Sequence, residues 1–400
     1  MNYFIKKVFI VFCQYHSAGI KMHTAALELF KKESITILGL MSGTSADGLD
    51  ICLVRFSGRD RYPKYRVLKK DFIAYPEAFS SAFKNPLQLT GHEIAFWHME
   101  WGRWVGSVIK KTAEPYDLIA SHGQTLLHKP PEYTLQIGEA LCIAQLCMKP
   151  VIYDFRTADV CLGGQGAPLI PIVDDYLLRG DKKSVVALNL GGIANLTYLP
   201  PRKASIPILA WDTGPANTLI DKAVKDFTKG KENYDNEGRY ARSGKVNSEL
   251  LNRLLTHPYF KRNIPKSAGQ EQFGLAYYNG IRDDVNPQSK RDWHDLICTL
   301  TELTACTIAG DIQERLPAKP SIDRLYASGG GAENVFLMER LQKLLSGIAI
   351  EKFELPGIDS SSKEAFGFAY LGYLFMRGLS GNIPSVTGAS HETVLGKIVW

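Results

Sequence analysis

The chain reads as an α/β protein of two domains, and three observations lead there. Its 400 residues suffice for two hydrophobic cores. Short apolar runs rich in Ile, Leu and Val alternate with longer segments of helical period. One device occurs twice: two apolar runs joined through glycines, once within residues 35–56 and again within 184–199.

The first of these bends organises the rest. Between the strand-like runs Ile35–Leu40 and Leu49–Phe56 stand Ser42, Gly43, Thr44, Ser45, Asp47, Gly48 and Asp50. Glycines in a tight strand–turn–strand let backbone N–H groups approach an anion, and the hydroxyls add donors to phosphate oxygens. Asp47 suits magnesium, a hard ion that prefers oxygen ligands. An ordinary hairpin with polar turn residues explains the same spacing. No Gly-x-x-x-x-Gly-Lys-Ser/Thr loop is present, so a Walker-type phosphate loop is excluded.

Composition is that of an ordinary globular enzyme, 45% hydrophobic and 22% charged, and no apolar run is long enough to span a membrane. A formal net charge of +6 gives no case for nucleic acid but suits an anionic nucleotide. Seven dispersed cysteines without a Cys-x-x-Cys pair point to a reduced, cytoplasmic protein with neither disulfide frame nor zinc site. At the N-terminus Lys6 and Lys7 precede Val8–Cys13, faintly like a signal peptide, but Gln14, Tyr15 and His16 break the apolar core. Cytoplasmic localisation is therefore expected, with Met22 an alternative start.

Along the chain, Tyr65–Ile73 predicts a strand and His92–Thr112 a helix. Trp97, Trp101 and Trp104 of that helix are spaced as a core stripe. A strand from Asp117 is expected to end before Ser121-His122-Gly123-Gln124-Thr125, which would line a site at its carboxyl end; a structural histidine is the plainer meaning of His122 alone. Gln136-Ile137-Gly138-Glu139 opens the predicted helix Ala140–Cys147, whose free N–H groups suit an acetamido or carboxylate oxygen. The strand predicted over Val151–Ala158 carries Arg156, a fork for carboxylate or phosphate. Gly163–Pro171 is a rigid connection. Around Gly191-Gly192 the second bend repeats the first. Asp212, before Thr213-Gly214-Pro215, is either a carboxylate at the site or a helix N-cap. Asn233–Ser243 reads as a surface loop. Lys266 is either a phosphate ligand or a solvated lysine, and Glu271 a metal or ribose ligand or a helix-start acid. After a long helix over Leu296–Arg315, Ser328-Gly329-Gly330-Gly331 with Asn334 lets the chain approach a flat ligand. Glu364 begins the last long helix, where the macrodipole also favours an acid.

The string Met41-Ser42-Gly43-Thr44-Ser45-Ala46-Asp47-Gly48-Leu49-Asp50 resembles that of the anhydro-N-acetylmuramic acid kinases, within the sugar-kinase, Hsp70 and actin fold group. Ser121–Thr125, Gln136–Glu139, Gly163–Pro171, Asp212–Pro215, Pro265–Phe273 and Gly381–Ala389 follow in the family's order, so the resemblance runs from residue 35 to about 398. Thr157-Ala158 and Ala216 depart from the family's usual residues.

The resemblance implies two ribonuclease-H-like lobes, each a mixed five-stranded sheet with helices on both faces, and an inter-lobe active-site cleft. The lobes would be 33–160 plus 366–400, with the first phosphate hairpin, and 161–365, with the second hairpin and the adenosine site. Residues 1–32 would be an extension. It implies ATP and Mg2+ as cofactors, and a sugar whose internal ether is opened by water as O6 is phosphorylated. Asp212 would be the base, Asp47 the metal ligand and the two bends the ATP phosphate clamp. Gly329, Gly330, Gly331 and Asn334 would hold adenosine, and His122, Gln124, Gly138, Arg156 and Glu364 the sugar. A homodimer, no membrane and no nucleic acid partner are expected. A kinase for a different sugar and a non-catalytic sensor of the same fold remain as alternatives.

Overall fold

A computed structural model describes residues 28–43, 45–111, 114–317 and 320–400. The expected contact of Thr44 and all but the last residues of the 1–32 extension lie outside them. The chain divides into two compact units, one reaching to Tyr176 and resuming at Leu355, the other Leu177–Glu354.

In the first unit β1 (Ser34–Ser42), β2 (Gly48–Ser57) and β3 (Lys64–Ala74) form an antiparallel meander. The first two strands match the predicted runs, extended into the turn at each end. β4 (Leu118–Lys129) lies parallel to β1, and β6 (Val151–Tyr153) parallel to β4. This order, β3-β2-β1-β4-β6, is the ribonuclease-H-like wiring. Two additions make the sheet seven-stranded: β5 (Tyr133–Ile137) folds back on β4, and β12 (Lys397–Val399) covers the edge of β6.

The second unit repeats that wiring. β7 (Ser184–Leu190), β8 (Ile193–Leu199) and β9 (Leu209–Pro215) run antiparallel, and β10 (Ile322–Ser328) and β11 (Ala349–Lys352) add parallel strands beside β7.

Alternation along the strands decides what each sheet face meets. In β1, Leu38 and Leu40 turn towards Trp101, Val105 and Ile109 of the helix Gly91–Ile109. That helix begins with a capping box from Thr90 and Glu93. Trp97 and Trp104 flank the same core, so the tryptophan stripe is packing. On the opposite face Gly39 lies directly under Ala365 and Ala369 of the helix Lys363–Arg377, and a side chain there would drive into that helix's backbone. In the second unit Val186, Leu188 and Leu190 pack on Ala305, Ile308 and Ile312 of the helix Lys290–Arg315. A separate helical core gathers Leu219, Val224, Leu250, Tyr278 and Leu303.

Three local expectations change. β4 does not stop before Ser121 but runs through to Lys129, because β5 returns to pair with its second half. The strand expected to Ala158 ends at Tyr153 and gives way to a short helix, Thr157–Cys161. Asn233–Ser243 is folded rather than loose: buried Asp235 accepts from the amides of Tyr240 and Ala241 and holds the short helix Arg239–Arg242.

Candidate active site

In the first unit the tip of the β1–β2 bend is fastened from beneath. Ser42 and Gln124, both buried, hydrogen-bond through hydroxyl and amide oxygen, and the Tyr75 hydroxyl bonds to Ser42 and lies 3.1 Å from the same Gln124 oxygen. Trp101 Nε1 donates to that hydroxyl at 2.6 Å. Gln124 Nε2 donates to the Gly43 carbonyl at 3.2 Å. A buried amide with both ends bonded fixes orientation. The Gln124 side chain is therefore spent on shaping the bend.

Above this network the bend carries Ser45, whose hydroxyl donates to Asp47 Oδ1 at 2.7 Å, and Asp47 itself is exposed. Asp50 lies on β2 opposite Met41. Burial, then the charges of Asp47 and Glu364, push its carboxyl up to about 6. Asp50 thus belongs to the site region although the sequence reading gave it no role. The mutual repulsion of three acids was not visible without Glu364 folded beside them.

His122 is 3% exposed. Arg156 Nε and a terminal nitrogen reach its Nε2 at 3.1 and 2.9 Å, and the third guanidinium nitrogen donates to the Gly166 carbonyl at 2.7 Å. Arginine only donates, so His122 Nε2 accepts; Nδ1 then carries the proton and donates to the Ser42 carbonyl at 3.2 Å. Burial, then the Arg156 charge, hold its pKa well below the ordinary value, in keeping with a neutral ring. Gly166 is itself fixed by fully buried Asp159, which takes its amide at 2.7 Å and also accepts from Asn382 and Thr387. Glu364 is exposed in the first turn of its helix, without capping it, and its charge is felt by Arg156. Gly138, at φ +123°, lies against the Trp101 ring so closely that no side chain fits, and His98 Nδ1 accepts from its amide at 3.0 Å.

In the second unit three sequence motifs meet at one place. The carbonyls of Gly191 and Gly192 accept from the amides of Asn217, Ala216 and Thr218, at the start of the helix Asn217–Phe227. Asn217 Nδ2 donates to Leu190 O at 2.9 Å. A Cβ on Gly331 would stand 2.7 Å from Leu190 Cβ and 2.8 Å from Asn217 Oδ1, and one on Gly192 2.7 Å from Thr218 Oγ1. Gly329 takes φ +81°, where glycine is favoured. A Cβ on Gly330 would have its nearest neighbour, Asn217 Nδ2, at 4.0 Å. Asn334 caps the helix Val335–Leu344, accepting from Leu337 at 3.0 Å.

Asp212 does not cap a helix; Ala216 holds that position. It lies within β9, half-buried, and its Oδ2 accepts from the Ala268 amide at 2.8 Å. Burial pushes its carboxyl up to about 6, with the Ala268 bond and Lys266 opposing and Glu271 adding. Lys266 is not a solvated lysine. Its side chain is 2% exposed and its ammonium pairs with Asp311 at 3.1 Å, while Asp311 also takes Trp211 Nε1 and Arg315. Glu271 falls in the first turn of the short helix Gln270–Phe273.

Two units of ribonuclease-H-like wiring, each with a glycine bend between its first two strands, define the fold class that sugar kinases share with Hsp70 and actin. A family model described as anhydro-N-acetylmuramic acid kinase matches residues 35–400. The chain belongs to that family. Curated anhydro-N-acetylmuramic acid kinases resemble it throughout: one from Synechocystis sp. is 40% identical over 380 residues, covering 90% of this chain and 97% of the relative. One from Caldanaerobacter subterraneus is 36% identical over 391 residues, covering 93% and 98%. Among solved structures, (R)-2-hydroxyglutaryl-CoA dehydratase component A from Acidaminococcus fermentans covers 86% of this chain and 99% of its own at 12% identity and a TM-score of 0.40, too loose to add to the topology. No described helix is long and apolar enough to cross a membrane.

Proposed function

We propose that the chain uses ATP and water to convert 1,6-anhydro-N-acetylmuramic acid into N-acetylmuramic acid 6-phosphate and ADP. Water attacks the anomeric carbon, the bond from that carbon to O6 breaks, and O6 takes the γ-phosphoryl group as its bond to the ADP oxygen breaks. The proton of the attacking water goes to Asp212.

The observation that carries this reading is Asp212 itself. It stands half-buried in β9 with only Oδ2 engaged, by the Ala268 amide, so Oδ1 can take a proton from water, and burial raises its basicity, which is what a general base for water needs. The same carboxylate would steady positive charge growing at the anomeric carbon, as in glycoside hydrolysis. The bends at Ser42–Gly48 and Gly191-Gly192 would hold the phosphates, Gly329–Gly331 and Asn334 the adenosine, and His122, Gln124, Gly138, Arg156 and Glu364 would shape the sugar subsite. Gln124 and His122 act there through the Gly43 carbonyl and through Arg156.

Among the described residues no three metal-ligating side chains converge to hold an ion alone. The residues do fit a magnesium ion brought in on nucleotide phosphates, which needs only one or two carboxylates. Asp47 would hold it, and the repulsion already felt by Asp50 marks the place as favourable for a cation. Such an ion would neutralise charge on the transferring phosphoryl group. A cytoplasmic location agrees with the free thiols among the described residues, and a homodimer belongs to the same proposal.

The test is to incubate the purified protein with ATP, magnesium and a panel of sugars, following ADP and the ring-opened phosphosugar. Formation of N-acetylmuramic acid 6-phosphate from the anhydro sugar is expected. Phosphorylation of only a different sugar, or none of any, would overturn the reading.

A further inference from the structure

We propose that the open edge of β3 at residues 64–67 is a docking site for an extended, acidic segment of a partner protein, which adds to the sheet as a further strand. The site lies within the first unit and is independent of the function proposed above.

β3 is the last strand of its sheet and pairs only with β2. Among the described residues, the main chain of 64–67 forms no hydrogen bond outside that pairing. Alternate residues of an edge strand turn N–H and C=O outward, a template for another chain. A cavity of about 650 Å³ is lined by every residue from 63 to 67. Neighbouring side chains of a strand point to opposite faces, so a cavity that touches all of them follows the edge itself.

The two sides of the edge differ. On one side stand Tyr65 and Val67, half-buried, with the Tyr176 ring and the Pro356-Gly357 turn closing the wall. This wall is rigid. The Tyr176 ring stacks on Tyr370 with centroids 4.3 Å apart, and its hydroxyl donates to the Pro63 carbonyl. Leu355 and Ile358 exchange main-chain hydrogen bonds of 2.9 and 2.8 Å across Pro356 and Gly357. Gly357 takes φ +80°, and a Cβ there would stand 2.9 Å from Val67 Cβ.

On the other side stand Lys64 and Arg66, both exposed. Farther along β3, Lys69 pairs with Glu114 and Lys70 with Asp359. Lys64 and Arg66 have no acid partner among the described residues. The register with β2 shifts just after Val67, which ends the regular edge and limits an added strand to about four residues.

The period of two then dictates the occupant. An added strand sets alternate side chains against Tyr65 and Val67, where apolar groups fit, and the others against Lys64 and Arg66, where acids fit. A second copy of this edge would bring the same cations opposite these and is disfavoured. The site is also remote from the phosphate bend. Lys64 pairs with Ser57 and Ala74 with Gly48, so the length of β2 separates them, about 30 Å at 3.3 Å per residue.

The experiment titrates the full-length protein with fluorescein-labelled hexapeptides and reads anisotropy. The probes are Glu-Val-Glu-Val-Glu-Val, its counterpart with Lys for Glu, the block sequence Glu-Glu-Glu-Val-Val-Val, and the first peptide N-methylated at every amide. The alternating acidic peptide is expected to bind saturably and to slow hydrogen exchange within residues 64–67. The other three should bind at least about tenfold more weakly, lacking the charge, the alternation or the main-chain donors. The double variant Lys64→Glu, Arg66→Glu should melt like wild type, lose roughly 3- to 10-fold in affinity for the acidic peptide and gain for the lysine peptide. Equal binding of the block or N-methylated peptide reduces the contact to charge attraction and overturns strand addition. No binding of the acidic peptide, or exchange unmoved at 64–67, overturns the site. Sedimentation with and without peptide gives the last outcome: a dimer that the acidic peptide splits would assign the edge to a second copy and overturn the partner.

Discussion

Tyr259 donates its hydroxyl hydrogen bond to the main-chain oxygen of Asp212 at 2.6 Å. The residue is thus held by its backbone, and of its carboxylate only Oδ2 is engaged, by the Ala268 amide. Oδ1 has no protein partner among the described residues and is available to a water. Asp212→Asn keeps an acceptor for Ala268 but no longer takes a proton. Turnover should fall about 10²–10⁴-fold with little change in ATP affinity. In the wild type kcat/KM should rise with pH through about 6, as the base ionises. Steady-state kinetics across pH check both.

The same carboxylate also bears on stability. Its folded value, about 6, lies above the ordinary 3.8. A raised value means the folded state favours the protonated form. The stabilisation is complete below about 4 and is lost as pH rises towards 6. At neutral pH the wild type therefore carries an ionised, partly desolvated carboxylate at a cost. Asp212→Asn should melt no lower than wild type at pH 7–8 and relatively lower near pH 4, as thermal unfolding at the two pH values would reveal.

Lys266 and Asp311 form a buried pair, 2% and 8% exposed. Removing one partner of such a pair is costly because the other charge is left in the interior. Asp311→Ala should destabilise by about 3–5 kcal/mol. Lys266→Met should cost less, since Arg315 and Trp211 still serve Asp311. Folded Lys266→Met should keep the wild-type KM for ATP, as expected of a lysine that does not touch phosphate. Denaturant titration and ATP kinetics together decide this.

Adjacent glycines should behave differently. A methyl on Gly331 would meet Leu190 and Asn217 below 3 Å, whereas one on Gly330 has its nearest neighbour at 4.0 Å. Gly331→Ala should cost about 1–3 kcal/mol through overpacking. Gly330→Ala should melt like wild type but raise KM for ATP, if adenosine lies over it. Unchanged nucleotide kinetics in Gly330→Ala would remove that residue from the site.

Tyr75→Phe tests the fastening of the first bend. It leaves the Trp101 N–H without its acceptor and removes the hydroxyl that bonds to Ser42 and Gln124. Loss of a buried partner should cost about 1–3 kcal/mol. Because Gln124 holds Gly43, KM for ATP should rise as well, measurable beside the melting temperature.

What the sequence made legible was what local pattern encodes. Alternating β-branched runs around glycines located β1, β2, β7 and β8, since a strand-to-strand bend needs those residue types wherever it occurs. Asp212 was singled out by the Thr213-Gly214-Pro215 that follows it and by the family resemblance, since position alone suited a helix N-cap as well. The partner of Lys266 was out of reach: Asp311 lies near the C-terminal end of the helix Lys290–Arg315, and nothing local distinguishes it from a solvated acid. The run Ser121–Thr125 looked like a loop because four polar residues around a glycine normally face water. They are buried in a strand only because Tyr75, Arg156 and β5 supply partners from elsewhere. Asn233–Ser243 deceived in the same way, its polarity consumed internally by Asp235.

The helix Lys363–Arg377 roofs the sheet that begins at Ser34, with Gly39 and Gly372 allowing backbone-close approach to Ala365 and Ala120. During synthesis the earliest strands leave the ribosome long before this roof exists, whereas everything the Leu177–Glu354 unit needs is contiguous and arrives first as a complete set. The nascent chain therefore carries an unshielded apolar surface until translation is almost finished. A released chain truncated ahead of residue 363 should display a protease-sensitive amino-terminal portion beside an already resistant middle.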